Sequence, residues 1–169
     1  MILETPRLLL RKFTAQDADA LEVFLGDPVV MEYYPAALDR KGVQGWIERN
    51  LGRYARDGHG LWAMVVKDSH QLIGDCGCTM QEVEGRHEVE VGYHVRRDLW
   101  GRGYATEAAR ACIEYGFRQL GAQRVISMIR PENVRSIRVA EKNGMHREKI
   151  VFWHGYDHCI YAVTKYGQA

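Results

Sequence analysis

The stretch Asp98-Leu99-Trp100-Gly101-Arg102-Gly103-Tyr104-Ala105-Thr106-Glu107-Ala108-Ala109 carries the chemistry most open to reading. A polar loop with a Gly-x-Gly spacing runs straight into a helical pattern, in which Ala105, Ala108, Ala109, Cys112, Ile113 and Phe117 recur at three- and four-residue steps. Gly101 and Gly103 allow positive φ and close approach of the backbone to a ligand. The first turn of a helix starting near Tyr104 leaves N–H groups without internal partners at the positive end of its dipole. Loop and helix start together form an anion cradle suited to phosphate or pyrophosphate. A P-loop is excluded, since Tyr104-Ala105-Thr106 supplies no Gly-Lys-Ser/Thr. The dinucleotide fingerprint fits poorly, because its third glycine position holds Thr106.

A second polar set lies just upstream. Along Glu88-Val89-Glu90-Val91-Gly92-Tyr93-His94-Val95, alternation places Val89, Val91, Tyr93 and Val95 on one face and Glu88, Glu90 and His94 on the other. Such alternation also describes any half-exposed antiparallel strand. Cys76 and Cys78 share a strand face, and no further ligands stand at zinc spacing, so buried free thiols are expected and no metal. Trp46, Trp62 and Trp153 read as core or cleft wall. No basic stripe accompanies them, so no nucleic-acid partner is expected.

The bulk properties set the frame for these residues. The chain of 169 residues has the length of one domain, taken as residues 1–169. It is 46% hydrophobic and 27% charged, with 23 Lys+Arg against 22 Asp+Glu, so no global field favours nucleic acid or a membrane surface. No apolar run has transmembrane length and no signal-peptide pattern opens the chain; the expectation is a cytoplasmic protein without a membrane partner.

The elements that position the chemistry follow in order. Thr5 to Arg11 reads as a strand. A helix capped by Thr14-Ala15-Gln16-Asp17 runs to about Leu25, and an irregular link bears Tyr33, Tyr34 and Pro35. A second helix from Asp39 to about Arg56 carries the stripe Val43, Trp46, Ile47, Leu51 and Tyr54, weakened by Gly45 and Gly52. Leu61–Lys67, Gln71–Thr79 and Glu88–Val95 form a three-stranded meander with a polar bend from Gln81 to Arg86. The central helix runs to about Leu120 with Gly121 at its end. A strand from Arg124 to Arg130, a helix from Asn133 to Lys142 and a hairpin around Gly155 complete one α+β domain.

Three segments resemble the GNAT N-acetyltransferase superfamily, more closely its ribosomal-protein alanine N-acetyltransferase-like branch. They are Thr5-x-Arg7-Leu8-x-Leu10-Arg11, then Glu90-Val91-Gly92-Tyr93-x-Val95 with Trp100 to Ala108, and Pro131-Glu132-Asn133-x-x-Ser136-x-x-Val139-x-Glu141-Lys142-x-Gly144. The resemblance implies a mostly antiparallel mixed sheet of about seven strands, flanked by about four helices, with the fourth and fifth strands splayed. It implies acetyl-coenzyme A as donor, an amine as acceptor, and allows a homodimer.

By the same resemblance the pyrophosphate sits on amides from Leu99, Trp100, Gly101, Arg102, Gly103, Tyr104 and Ala105, with the Arg102 charge nearby. Main-chain groups of Tyr93, His94 and Val95 pair with the pantetheine arm as a pseudo-strand, and a strand N–H meets the acyl carbonyl. Asn133, Ser136 and Lys142 complete the coenzyme set, with Ser136 also a weak candidate acid near the sulfur. Tyr33 and Tyr34 border the acceptor. Glu90 is the favoured base, with His94 second and water-mediated deprotonation a third route. The sequence departs from the family at Asp98, where Gln or Arg is common, and at Ala140, where a tyrosine acid often stands; a thiolate leaving group tolerates that loss. The alternatives are a non-catalytic acyl-coenzyme A-binding sensory module and a nucleotide-binding module.

Overall fold

A computed structural model describes residues 1–165. Among the described residues eight strands form one sheet in the order β1-β2-β3-β4-β5-β6-β8-β7, antiparallel throughout except for the parallel pair β5–β6. The strand count exceeds the expected seven because the first run is broken. Thr5 folds back on Leu8, its N–H donating to the Leu8 carbonyl at 2.9 Å and its Oγ1 accepting the Leu8 N–H at 3.0 Å. This turn over Pro6 separates β1 (Leu3–Glu4) from β2 (Leu8–Arg11).

A 3-10 turn at Ala15–Asp17 precedes α1 (Ala18–Leu25), and Asp17 there accepts from the Thr14 N–H and from Arg11. Helix α2 (Arg40–Arg56) starts at Asp39, whose carboxylate accepts the Gly42 N–H at 2.8 Å. Its inner face differs from the expected stripe. Asn50, not Leu51, is buried, and its amide ties the Trp46 carbonyl to the N–H of Leu61 at the start of β3 (Leu61–Val66).

Strands β4 (Leu72–Val83) and β5 (Arg86–Val95) continue through the expected polar bend and turn only at Glu84-Gly85, both at positive φ. That two-residue turn matches the twist of the flanking strands, and His154-Gly155 repeats it between β7 (His146–Trp153) and β8 (Tyr156–Thr164). From β5 the chain crosses through α3 (Tyr104–Arg118) to β6 (Arg124–Ile129), the helical crossover that a parallel pair requires. Helix α4 (Val134–Lys142) follows.

The two faces of β4 and β5 are dressed differently. Cys76, Cys78 and Val91 are buried against α3, where Cys78 Sγ lies 3.2 Å from the Cys112 carbonyl. All four cysteines are free and buried. The opposite face, beneath α2, carries three cross-strand pairs in register: Asp75 with His94, Gly77 with Gly92, and Thr79 with Glu90. Two polar pairs therefore flank a gap with no side chain. No helix among the described residues is long and apolar enough to cross a membrane.

Candidate active site

Strands β5 and β6 pair only at Val89–Val125 and Glu90–Ile126, then part. Beyond Glu90, the main-chain groups of β5 that point towards β6 no longer meet a partner strand. Side chains take two of the carbonyls: Ser127 Oγ donates to Val91 at 3.1 Å and Trp100 Nε1 donates to Val95 at 2.8 Å. The opening is the V expected for the fourth and fifth strands, which are β5 and β6 once the first run counts as two.

Glu90 stands at the vertex of this V. Its Oε2 accepts from Gln81 Nε2 at 2.8 Å and lies 3.4 Å from Thr79 Oγ1, while Oε1 lies 3.4 Å from the Met128 N–H. Burial raises the Glu90 pKa above the usual carboxylate range, against the opposing pull of these donors. A carboxylate so placed is a stronger base than one in water. Four positions on, His94 is buried, and its Nδ1 lies 2.7 Å from Asp75 Oδ1. Asp75, fully buried, also accepts from the His94 main-chain N–H at 3.1 Å and from Trp46 Nε1 at 3.0 Å. Asp75 Oδ1 also takes the main-chain N–H, so it acts as an acceptor; this places the His94 hydrogen on Nδ1 and leaves Nε2 buried without a hydrogen-bond partner among the described residues. This geometry corrects one expectation. The His94 main-chain N–H is directed at Asp75 and cannot join the pseudo-strand; on alternation, Tyr93 and Val95 turn their main-chain groups into the V.

Two cavities meet at this point. One, of about 250 Å³, lies over Glu90 and Gly92 and is walled by Tyr34, Trp46, Arg53 and the hairpin residues Trp153 and Tyr156. The other, of about 320 Å³, runs from Tyr93, His94 and Val95 past Leu99, Trp100, Gly101, Gly103, Tyr104 and Ala105, with Arg135, Arg138 and Lys142 of α4 along its far side. Tyr33, Tyr34, Asn133 and Ser136 line both. The link bearing Tyr33 crosses the mouth of the V. Tyr33 Oη donates to the Glu132 carbonyl at 3.2 Å, and Glu32 pairs with Arg135 at 3.0 Å while the Arg135 guanidinium lies 4.4 Å over the Trp100 ring.

The cradle has the backbone expected of it. Gly101 (φ 77°) and Gly103 (φ 82°) are left-handed, and α3 starts at Gly103 with no side-chain cap. An added Cβ at Gly101 would meet open space, so its need for glycine is conformational. Arg102 departs from its expected role. Its side chain is exposed, and its carbonyl accepts from Arg7 Nη1 at 2.9 Å. The positive charge beside the second cavity comes instead from Arg135, Arg138 and Lys142. Asn133 caps α4, its Oδ1 accepting the Ser136 N–H at 3.1 Å, and the Ser136 carbonyl accepts from Tyr93 Oη at 3.0 Å. Ala140 is buried in the main core, so nothing acidic enters the V from that position.

Sequence reasoning missed Asp75, Gln81, Arg53 and Ser127 as parts of this site. A signal existed for Asp75, an acid inside the otherwise apolar run Leu72–Cys78; the other three carry none, since only tertiary placement brings them to Glu90.

Comparison with known proteins adds the family context. A family model described as an acetyltransferase (GNAT) domain matches residues 7–146. The chain is 38% identical to the uncharacterized protein YkkB of Bacillus subtilis over 150 residues, covering 88% of this chain and 87% of that one. It is 33% identical to the uncharacterized N-acetyltransferase YnaD of the same organism over 149 residues, covering 88% and 84%. The crystal structure of a GNAT-family acetyltransferase from Bacillus anthracis superposes with a TM-score of 0.83 at 30% identity, covering 97% of this chain and 98% of the other.

Proposed function

The chain belongs to the GNAT acetyltransferase family, and we propose that it moves an acetyl group from acetyl-coenzyme A to a primary amine by direct attack with both substrates bound. One observation carries the reading: a cavity ending at uncapped helix amides and a cavity floored by a buried carboxylate meet where β5 and β6 part. The residues fit the donor. Left-handed glycines expose amides to a diphosphate, α4 lines the same cavity with Arg135, Arg138 and Lys142, and the parted β5 offers Tyr93 and Val95 to an extended amide-bearing arm.

Acetyl-coenzyme A supplies an activated thioester carbonyl. Glu90 accepts one proton from the incoming ammonium. The freed nitrogen bonds to the acetyl carbon, the carbon–sulfur bond breaks with its electron pair going to sulfur, and the second proton leaves with the thiol. His94, its ring fixed by Asp75 and four residues from Glu90 on the same strand face, leaves Nε2 as an unpartnered acceptor to orient the amine. Ser136, lining both cavities, is the nearest hydroxyl on α4 to the leaving side. Four free thiols suit a reducing compartment, and a cytoplasmic location goes with this reading.

Calorimetry with coenzyme A, paired with thiol release from acetyl-coenzyme A over a panel of amines, tests the proposal. Binding with amine-dependent release is the expected result. Binding without release for any amine would leave a non-catalytic acyl-coenzyme A-binding module, and no binding would remove the donor assignment.

A further inference from the structure

The cavity over Glu90 has an unusual charge inventory for an amine site. Among the described residues that line it, Glu90 is the only carboxylate, while Arg53 and Arg130 bring two guanidinium groups. Arg53 projects from α2 on the same helical face as Trp46 and Asn50. The one hydrogen bond found for it among the described residues is a long one, Nη1 to Asn50 Oδ1 at 3.4 Å. It lies within the field of Glu90 and is partly withdrawn from solvent. Arg130 stacks 4.2 Å over the Tyr156 ring, and its buried Nε makes no hydrogen bond among the described residues, its nearest anion being Glu132 at 3.7 Å. Arg49, outside the lining, adds a third positive charge 5.4 Å over the ring of the wall residue Trp46.

A guanidinium partly withdrawn from water and short of hydrogen-bond acceptors, as Arg53 is, can meet a ligand carboxylate in bidentate geometry. The same groups repel a ligand that brings several positive charges. Bulky rings and an aliphatic side chain make one part of the wall, Tyr34, Trp46, Leu61 and Trp153, facing the polar Thr79, Gln81, His94 and Ser127. The floor is open at Gly92, where an added Cβ would meet only Leu61 Cδ2 at 3.5 Å. At about 250 Å³ the cavity has room for a small molecule.

We propose that the acceptor is a small amphoteric amine of the apolar α-amino-acid type, its carboxylate paired with Arg53 while its amine is presented to Glu90, and that polycationic amines are rejected. Arg130 and Arg49 act at the mouth, favouring entry of the anionic end. This inference rests on the acetyl-transfer reading and narrows it to a substrate class.

The test uses the full chain with acetyl-coenzyme A and measures thiol release. Leucine, methionine, phenylalanine and tryptophan are each compared with their carboxamides, alongside spermidine and kanamycin. At least one of the four amino acids should surpass its carboxamide in kcat/KM by about 10–100-fold, the range expected for a charge-assisted pair. Arg53→Gln should erase that preference by slowing the acid more than the carboxamide, with coenzyme A affinity intact. A carboxamide that matches its acid, or brisk release with spermidine or kanamycin, would overturn the substrate class and leave acetyl transfer standing. Release with no amine in the panel would overturn both. The comparison of acid with carboxamide on the unaltered protein stands even where the Arg53 variant fails to fold.

Discussion

Asp75 grips His94 twice, taking its main-chain N–H at 3.1 Å and its Nδ1 at 2.7 Å with the same carboxylate oxygen. The other oxygen is held by Trp46 Nε1, so α2 and β5 are joined through one buried acid. The arrangement fixes the His94 tautomer. In 15N NMR, His94 should show the tautomer with hydrogen on Nδ1, and Asp75→Asn should give a tautomer mixture. Breaking these charge-assisted bonds should also lower stability by about 2–3 kcal/mol in denaturant unfolding.

Glu90 links activity and stability in opposite senses. Burial raises its pKa, so the folded state holds this proton more tightly than the unfolded chain. The stabilisation that follows is fully present below the ordinary carboxylate range and is lost as pH rises through the raised value. Glu90→Gln never acquires the charge. It should melt higher than the parent near pH 7, and the difference should vanish in acid. Turnover should fall about 10²-fold in the same variant, and the rise in rate as Glu90 ionises should disappear from the pH profile.

Two facing glycines should respond oppositely to a methyl group. A Cβ at Gly77 would lie 2.0 Å from the Gly60 carbonyl oxygen, which is backbone and cannot yield. Gly77→Ala should therefore cost about 1–3 kcal/mol or more in unfolding experiments. At Gly92 the Cβ finds only an ordinary contact and enters the cavity. Gly92→Ala should fold normally and raise the acceptor KM several-fold while the coenzyme A dissociation constant holds.

Glu107 anchors the N-terminal turn to the first turn of α3. It accepts from Thr5 Oγ1 at 2.6 Å, the Arg7 N–H at 2.9 Å and Arg7 Nε at 2.6 Å. Burial pushes its pKa up, but these donors outweigh it and the net shift is downward. That stabilisation exists above the ordinary glutamate pKa and is lost as pH falls through the lowered folded value. Glu107→Gln should lose about 1–2 kcal/mol at pH 7, allowing for the exposure of Arg7, and the gap to the parent should close in acid melts.

Gly103, at φ 82°, opens α3 in a conformation that costs a side-chain-bearing residue about 1–2 kcal/mol. Gly103→Val should weaken coenzyme A by roughly tenfold in calorimetry and lower the melting temperature by only a few degrees, so that the variant still folds. An unchanged dissociation constant would remove the cradle from the donor site.

Local signals made much of this molecule legible. Periodicity placed α3 and its buried Ala108, Ala109 and Cys112, and strand alternation put Glu90 and His94 on one face. The broken first strand was hidden because its cause is tertiary: Thr5 and Arg7 turn towards Glu107, about a hundred residues away. The run Gln81–Arg86 read as a bend because exposed hairpin strands are polar, and only pairing carries β4 on to Val83. Asn50 was passed over for Leu51 because a stripe of apolar residues does not reveal an amide that satisfies the backbone beside it. The pairing of Asp75 with His94 depends on register, which no single strand declares.

Tyr33, Tyr34, Tyr93, His94, Asn133 and Ser136 are a party wall between two rooms. Any tightening of that wall by one guest is felt by the other, and thermodynamic linkage requires the benefit to be mutual and equal in size. An amine assayed on the empty protein would thus look like a poorer ligand than it is, and coenzyme A would be retained longer on a column washed with the true acceptor.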